Sequence, residues 1–309
     1  MAYIGFDTSN YTTSVAAFFP QEGRVIQNKL LLPVKKGEKG LRQSDAVFHH
    51  TVQLGPVFQK LSEHEKFTVD GVCASVRPCL REDSYMPCFL AGSSTAEVMS
   101  RALNVPFFAF SHQQGHIAAS LFSSGHMELM DKPHLAWHLS GGTTELLYVT
   151  PEGVSVHAEK IGGTTDISAG QLIDRTGRLQ GLPFPAGKAL DALSAEADND
   201  DFFRVKVNGM EFSLSGVQNK VEQYRGAPAE TARFALQTLI DAIVRATENA
   251  QKEYPNCPVV FAGGVASNSM LRQQCAALPA IFCPPQYATD NALGVAVLTW
   301  RACNAANGL

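Results

Sequence analysis

The fold is indicated by two similar stretches, Tyr3-Ile-Gly-Phe-Asp-Thr-Ser-Asn-Tyr-Thr-Thr-Ser-Val-Ala-Ala-Phe18 and Leu135-Ala-Trp-His-Leu-Ser-Gly-Gly-Thr-Thr-Glu-Leu-Leu-Tyr-Val149. In each, an apolar run is followed by a cluster of small polar residues and a second apolar run, which predicts a β-hairpin. In the second turn, Ser140, Gly141 and Gly142 carry little bulk, so their backbone N–H groups can approach a phosphate closely. Two such hairpins predict a chain whose two halves begin alike.

Alternating helices and strands are predicted after each hairpin. After the first we expect strands near 25–34, at 71–75 and at 105–110, and helices at 44–61 and 93–103. After the second we expect strands near 154–159, at 258–262 and at 280–283, and helices at 231–253, at 267–277 and from about 290. Three strands followed by alternating elements, present twice, indicate a doubled α/β plan. We predict two lobes, 1–130 and 131–309, with the terminal helix packing back on the first lobe and a ligand cleft between them.

A candidate metal site lies in Ser111-His-Gln-Gln-Gly-His116, where two histidines are four residues apart. The residues that follow are predicted to be helical, so His112 and His116 lie on one helix face and can reach one ion. A divalent metal needs a third protein ligand, usually a carboxylate or another His, and an open position for substrate. A capped surface helix would show the same spacing, and at this point both interpretations stand.

A second glycine-rich turn follows a predicted buried strand in Val259-Val-Phe-Ala-Gly-Gly-Val-Ala-Ser-Asn268. A strand that runs into Gly263-Gly264 and then into a helix suits the phosphates of a nucleotide. Two glycines after a strand can also be an ordinary turn, so this segment gains its weight from the two hairpins.

The composition excludes several classes of protein. With 309 residues, of which 45% are hydrophobic, the chain can bury a sizeable core, and it has no run of 18 apolar residues that would indicate a membrane span. Its seven cysteines include no CxxC pair and are predicted to be reduced thiols. The chain begins directly with a predicted strand, so we expect a cytoplasmic protein. A net charge of -4 is compatible with a tRNA partner but does not indicate one.

The order of motifs along nearly the whole chain resembles the tRNA N6-threonylcarbamoyladenosine transferase family, once described as O-sialoglycoprotein endopeptidases. That family places His-x-x-x-His before Ser-Gly-Gly-His-Thr, and this chain has His112, His116 and Ser140-Gly-Gly-Thr-Thr144. The later blocks are matched by Gly163-Thr-Thr-Asp-Ile-Ser-Ala-Gly-Gln-Leu-Ile-Asp-Arg175, Gly181-Leu-Pro-Phe-Pro-Ala-Gly187, Phe212-Ser-Leu-Ser-Gly216, Ala262 to Asn268 and Thr289-Asp290-Asn291. The resemblance implies an α/β fold of the duplicated, two-lobed actin, Hsp70 and sugar-kinase ATPase type.

The same resemblance implies a ligand for each motif. His112, His116 and Asp290 would bind one divalent metal, Fe or Zn. An adenine nucleotide or adenylate would be bound by His138, Leu139, Ser140, Gly141, Gly142, Asp174, Gly187 and Asn268. Three of these residues have competing interpretations: Asp290 or Asn268 could cap a helix, and Asp174 could pair with Arg175 or Arg178. The implied partners are tRNA, reached through other family proteins, and the protein partners of the threonylcarbamoyl pathway; no membrane is implied.

The chain departs from the family pattern at three places. The family's first turn, Glu-Thr-Ser-Cys-Asp-Glu-Thr, is Asp7-Thr-Ser-Asn-Tyr-Thr-Thr13 here, which puts Asn10 and Tyr11 near the expected acidic pair. An Asn cannot serve as a general base, so Asp7 or a water would have to take that role. Thr143 replaces the His of the Ser-Gly-Gly-His turn, and the bulkier segment 76–87 replaces a Gly-Pro-Gly-Leu segment.

The leading hypothesis is metal-dependent transfer of a threonylcarbamoyl group from its adenylate to N6 of adenosine 37 in tRNA. One alternative is a catalytically impaired, nucleotide-binding paralogue that acts as a partner or regulator. Another is a carbamoyltransferase that acts on a small molecule. A zinc protease is disfavoured because Gln113, not Glu, follows the first His of the pair.

Overall fold

The N-terminal hairpin is confirmed, with β1 (Ala2–Asp7) antiparallel to β2 (Thr12–Phe19) and Tyr3 opposite Phe18. The computed structural model describes residues 1–9, 11–33, 41–63, 66–284 and 291–306. Contacts within this part of the chain define two compact units, each built around its own sheet. Unit 1 comprises Met1–Met130, Pro151–His157 and the terminal helix, and unit 2 comprises Asp131–Thr150 and the chain from Ala158 onward to that helix.

The sheet of unit 1 has five strands in the order β3-β2-β1-β4-β5. The added strands are β3 (Arg24–Leu31), β4 (Val69–Arg77) and β5 (Phe107–Ser111). β3 pairs antiparallel with β2, whereas β4 lies parallel between β1 and β5. Because β1 is central and buried along its whole length, its carboxyl end carries Asp7 into the interior of the unit.

In the described part of the chain, four helices cover this sheet: α1 (Gln43–Glu63), α2 (Phe89–Leu103), α3 (His112–Ser124) and α9 (Asn291–Ala306). α1 and α2 cover the core that contains Ile4 and Phe6. α9 packs on α3 and on β1, β2 and β4. Its contact with α3 depends on Gly294, where a Cβ atom would overlap the carbonyl oxygen of Gly115.

The sheet of unit 2 has seven strands in the order β12-β11-β6-β7-β8-β10-β9. The strands are β6 (His134–Leu139), β7 (Thr144–Glu152), β8 (Ser155–Thr164), β9 (Val207–Asn208), β10 (Glu211–Phe212), β11 (Val259–Ala262) and β12 (Ala280–Phe282). The second predicted hairpin is confirmed, with Leu135 of β6 opposite Tyr148 of β7. β11 runs parallel to both β6 and β12.

The helices of unit 2 are α4 (Ala169–Leu179), α5 (Gly187–Ser194), α6 (Ser215–Gln223), α7 (Pro228–Glu253) and α8 (Ser269–Gln274). α7 is fixed to the sheet at a polar contact inside the core, where Nε1 of Trp137 donates to Oγ1 of Thr247 at 2.8 Å. Trp137 is fully buried, so this bond satisfies a donor that water cannot reach.

The continuous helix predicted at 267–277 is wrong. The segment is a 3-10 turn at Gly264–Ser267, then α8, then a second 3-10 turn at Cys275–Ala277. The break occurs because Asn268 has extended backbone angles, φ -59° and ψ 130°, and its side chain starts α8 afresh as an N-cap. No helix in the described part of the chain combines the length and the hydropathy needed to cross a bilayer.

Candidate functional site

In unit 1, the two histidines of the predicted metal site lie in the first turns of α3. Ser111 ends β5 and caps the helix: its Oγ accepts from the N–H of Gln114 at 3.2 Å, and Gln114 Oε1 accepts from the N–H of Ser111 at 2.8 Å. His112 is therefore the first helical residue, and His116 follows one turn later. Their ring centroids are 4.5 Å apart and the rings are nearly perpendicular, at 76°. The helix is capped and the two imidazoles also adjoin, so the two interpretations of this motif are compatible.

Asp7 lies beside this pair at the end of β1. Its Oδ1 is 3.2 Å from Nδ1 of His112, and its Oδ2 accepts from Oγ of Ser9 at 2.8 Å. Burial would raise the pKa of this carboxyl, but the charge of His112 and the hydrogen bonds from His112 and Ser9 outweigh it and lower the pKa below its ordinary value of 3.8. The Asp7 contact uses Nδ1 of His112, which leaves Nε2 as the nitrogen that a metal ion would bind.

This geometry fits part of a metal site. Metal-binding histidines commonly hold a carboxylate with their other ring nitrogen, as His112 does with Asp7. The predicted third ligand, Asp290, lies outside the described residues, so the complete ligand set stays a prediction. Within the described ranges, His, Cys, Asp and Glu side chains form no group of three that could hold a metal by themselves.

In unit 2, the predicted phosphate-binding turn at 140–144 is held by the N-terminus of α4. Ser168, the N-cap of α4, donates from Oγ to the carbonyl of Gly141 at 2.6 Å, and the N–H of Ala169 donates to Oγ1 of Thr144 at 2.7 Å. A Cβ on Gly170 would lie 2.5 Å from Cα of Gly141, so only glycine permits this approach. At Gly141 itself, a Cβ would meet no protein atom within 4 Å. The N-terminus of α4 therefore holds the turn in place, and the space around the Cβ position of Gly141 contains no protein atom.

This turn borders a cavity of about 450 Å³. Its walls are formed by Gly141, Gly170, Ile173, Asp174, Pro185, Gly187, Lys188, Asp191, Gly264, Val265, Ser267 and Asn268. Four of the predicted nucleotide-binding residues are thus gathered around one cavity: Gly141, Asp174, Gly187 and Asn268. The other four, His138, Leu139, Ser140 and Gly142, lie at the end of β6 and in the turn, next to the wall but outside the lining.

The structure also gives the protein contacts of two residues that had competing interpretations. Asn268 caps α8, accepting from the N–H of Leu271 at 3.0 Å, and it lines the cavity as well. Asp174 accepts from the N–H of Ala186 at 2.8 Å. Among the ion pairs of the described residues, none joins Asp174 to Arg175 or Arg178. The cap and ligand roles of Asn268 are therefore not exclusive, and Asp174 anchors the loop before α5.

Three polar residues of the cavity were missed by the sequence analysis, Lys188, Asp191 and Ser267. Asp191 accepts from Nδ2 of Asn268 at 2.9 Å and from the N–H of Ser269 at 3.0 Å, so it joins α5 to α8. Helical spacing could have found it, since Asp191 follows Gly187 by four residues on the same face of α5.

Gly263 brings the late glycine turn close to β6. It has φ +97°, and a Cβ there would overlap the carbonyl oxygen of Leu139. A residue with a side chain would be strained in this conformation as well as crowded. The glycine therefore sets the distance between the end of β6 and the wall formed by Gly264 to Asn268.

The departures from the family pattern involve residues of both units. Asn10 lies outside the described residues, whereas Tyr11 accepts from the N–H of Leu32 at 2.8 Å through its carbonyl oxygen. Thr143 closes the turn, since its N–H donates to Oγ of Ser140 at 3.0 Å. The segment 76–87 reaches α3, where the N–H of Gln113 donates to the carbonyl of Pro78 at 2.9 Å. All seven cysteines are unpaired in the structure.

Solved structures with the same architecture include the activator of the 2-hydroxyisocaproyl-CoA dehydratase from Clostridium difficile with bound ADPNP. Its TM-score is 0.55 at 13% identity, over 100% of this chain and 97% of that one. Full-length HypF in a phosphate- and nucleotide-bound form has a TM-score of 0.60 at 11% identity, over 98% of this chain and 46% of that one. At these identities the likeness concerns the fold alone. It confirms the duplicated α/β fold of actin-like, Hsp70-like and sugar-kinase-like ATPases.

Relatives in sequence are more specific. The protein described as tRNA N6-adenosine threonylcarbamoyltransferase from Carboxydothermus hydrogenoformans is 36% identical over 67% of this chain, and the match spans 65% of its length, just under two thirds. The protein of the same description from Enterococcus faecalis is 31% identical over 87% of this chain and 79% of its own. A sequence model of the family with that description matches residues 31–297. The chain therefore belongs to the tRNA N6-adenosine threonylcarbamoyltransferase family.

Proposed function

We propose that this protein transfers a threonylcarbamoyl group from threonylcarbamoyl-adenylate to N6 of adenosine 37 in tRNA. The observation that carries the proposal is the family match over residues 31–297. In the reaction, N6 attacks the carbamoyl carbon, the bond from that carbon to the phosphate oxygen breaks, AMP leaves, and the proton of N6 passes to solvent.

The adenylate is assigned to the cavity of unit 2. Two structural neighbours contain a bound nucleotide, and four residues that the resemblance assigns to nucleotide binding line this cavity. A Cβ at Gly141 or Gly142 would meet no protein atom within 4 Å, so a phosphate can approach the turn closely. Backbone N–H groups of the turn would donate to it as its negative charge grows on release of AMP. Because α4 fixes the turn in advance, little reorganisation accompanies the reaction.

A divalent metal, Fe or Zn, is assigned to His112, His116 and Asp290. When bound there, it would act as a Lewis acid on the carbamoyl and phosphate oxygens. The role of Asp7 follows from its position: its side chain is 3% exposed and it contacts Nδ1 of His112. This contact selects the tautomer that presents Nε2 and holds the ring in place.

Asp7 is poorly suited to be the general base that the sequence analysis offered. Both of its oxygens are engaged, Oδ1 with Nδ1 of His112 and Oδ2 with Oγ of Ser9, and the carboxyl is buried away from solvent. We therefore assign Asp7 to positioning His112 and leave the proton of N6 to a water.

The second candidate function is a nucleotide-binding paralogue that transfers slowly or not at all and serves as a partner of the pathway. Asn10 and Tyr11, which stand near the family's acidic pair, favour this candidate. It predicts normal nucleotide binding with a weak or absent transfer rate.

The deciding experiment combines the purified protein, unmodified tRNA and the other proteins of the pathway, and measures threonylcarbamoyladenosine by mass spectrometry. An active transferase gives product that disappears in His116→Ala, together with the loss of stoichiometric metal. Retention of metal by His116→Ala would refute the metal site. If the wild-type protein is inactive, Asn10→Asp with Tyr11→Glu is expected to raise the rate by roughly 100- to 10,000-fold, the usual value of a general base. An inactive protein that this double variant does not rescue would refute the transferase proposal. Absence of nucleotide binding would refute the second candidate as well.

A further inference from the structure

A solvent-exposed aromatic ring lies beside the cavity of unit 2. Phe184 is 84% exposed, and it belongs to the loop between α4 and α5. Its neighbours Pro183 and Pro185 are exposed as well, and Pro185 forms part of the cavity wall. The ring therefore lies at the rim of the cavity, where its exposure means that it contributes little hydrophobic stabilisation to the fold.

The loop that carries Phe184 is held at both ends. On one side, the N–H of Leu182 donates to the carbonyl of Gly177 at 2.8 Å. On the other, the N–H of Ala186 donates to Oδ1 of Asp174 at 2.8 Å, and the Cβ of Ala186 fills the space above Gly177. The two prolines restrict φ on either side of the ring. Because the backbone is already ordered, a partner that contacts Phe184 would meet a small entropic cost.

Two cations lie on the helices that the loop joins. Arg178 lies in the last turn of α4 and Lys188 in the first turn of α5, and both are exposed. Among the ion pairs of the described residues, neither side chain is a member. Exposed aromatic rings combined with basic side chains are typical of proteins that bind single-stranded nucleic acid, since bases stack on the rings and the charges contact phosphates. These charges favour RNA over an apolar protein surface.

We propose that Phe184 stacks on an unpaired base of the tRNA anticodon loop, while Arg178 and Lys188 contact neighbouring phosphates. The identity of the RNA rests on the proposed function; the stacking contact rests on the exposure of the ring, its fixed loop and the charges on the two helices that the loop joins. Phe184 is thus a substrate-binding residue at the rim of the cavity that receives the adenylate.

The test is the affinity of the full chain for a fluorescent anticodon stem-loop RNA, measured by anisotropy in the presence of ATP. Loss of one stacked base is typically worth roughly 5- to 150-fold in affinity, so Phe184→Ala is expected to weaken binding within that range. Phe184→Trp keeps the stacking surface and is expected to bind as tightly as the wild type. The matched control is Phe48→Ala, which removes a ring that is 64% exposed on α1 of unit 1. Lys188→Gln is expected to flatten the dependence of RNA affinity on salt.

The proposal is overturned if Phe184→Ala binds the stem-loop within twofold of the wild type, or if the wild type does not bind it. An unchanged RNA affinity would mean that the ring serves a protein partner. Equal losses in Phe184→Ala and Phe48→Ala would also overturn it. A failure of the proposed function is distinguishable from a failure of the stacking contact. If the wild type yields no threonylcarbamoyladenosine but Phe184→Ala still binds the RNA more weakly than Phe184→Trp, the proposed function fails and the stacking contact stands.

Discussion

Replacing Gly141 by Val tests whether the turn at 140–144 binds phosphate. A Cβ at Gly141 meets no protein atom within 4 Å, and its φ lies outside the left-handed region, so the fold accommodates a side chain. We expect the free energy of unfolding to change by about 0.5 kcal/mol or less. A phosphate bound to the backbone N–H groups would be displaced by the valine. The loss of one such charge-assisted bond, worth about 1.5–3 kcal/mol, corresponds to roughly 10- to 150-fold in nucleotide affinity.

Gly170→Ala is expected to differ from Gly141→Val in its effect on stability. Its Cβ would lie 2.5 Å from Cα of Gly141 and 2.6 Å from the carbonyl oxygen of Ser140, and both are backbone atoms that cannot rotate away. The turn or α4 must shift, which typically costs about 1–3 kcal/mol of stability. Nucleotide affinity should fall together with stability, because the turn that binds the phosphate is the part displaced.

The two variants are compared by urea denaturation and by calorimetric titration with ATP. Gly55→Val is the matched control, since Gly55 of α1 also has open space around its Cβ and belongs to unit 1. Unchanged ATP affinity in Gly141→Val would refute the assignment of the phosphate to this turn. A loss of more than about 1 kcal/mol of stability in Gly141→Val would contradict the open space around the Cβ position of Gly141.

Two further predictions concern buried or hydrogen-bonded carboxylates. Asp7→Asn keeps the shape of the side chain but removes the charge beside His112. It is expected to lower metal affinity by roughly 10- to 100-fold without unfolding the protein, as measured by metal analysis after dialysis. Full retention of bound metal by this variant would refute the positioning role of Asp7. The second prediction concerns Asp166, which accepts from Oγ of Ser213 at 2.5 Å and from the N–H of Leu214 at 2.8 Å. Burial acts to raise the pKa of Asp166, but the hydrogen bonds from Ser213 and Ser215 lower it well below its ordinary value of 3.8. A lowered pKa stabilises the fold above pH 3.8 and ceases to do so as the pH falls through the pKa of the folded state. Because Asp166 is exposed and solvent screens its charge, Asp166→Asn should lower the free energy of unfolding at pH 7 by about 0.5 kcal/mol, with a difference that shrinks below pH 3.8 in urea titrations. A difference that is constant down to about pH 3 would refute this.

The hairpins, the long helices and the buried strands could be predicted because each is encoded by a local pattern of apolar residues. The two-residue strands β9 and β10 could not be predicted in this way, since they are too short to show any alternation. They form because β10 pairs with the end of β8, next to the point where Met210 packs directly on Gly162. Only the tertiary structure brings these segments together.

In the candidate site, too, some contacts follow from a local sequence pattern and others depend on the tertiary structure. The contact between His112 and His116 follows from helical spacing alone, and the structure places their rings side by side. The contact between Asp7 and His112 joins residues 105 positions apart, so no local pattern encodes it. The sequence identified Asp7 as a carboxylate of interest and offered it as a base. Its partner and its burial, which point to positioning instead, depend on β1 lying in the middle of the sheet.

In unit 2, the residues that form the cavity also hold the fold together. Asn268 caps α8, Asp191 joins α5 to α8, and Asp174 anchors the loop before α5. A choice between cap and ligand is therefore not a real alternative at these positions, because a side chain fixed by one hydrogen bond can present its remaining acceptor to a substrate. Alanine at any of them would change stability and binding together, and the two effects could not be separated. Positions at which an added side chain would meet no protein atom, such as Gly141, are the ones at which a loss of affinity can be attributed to the ligand.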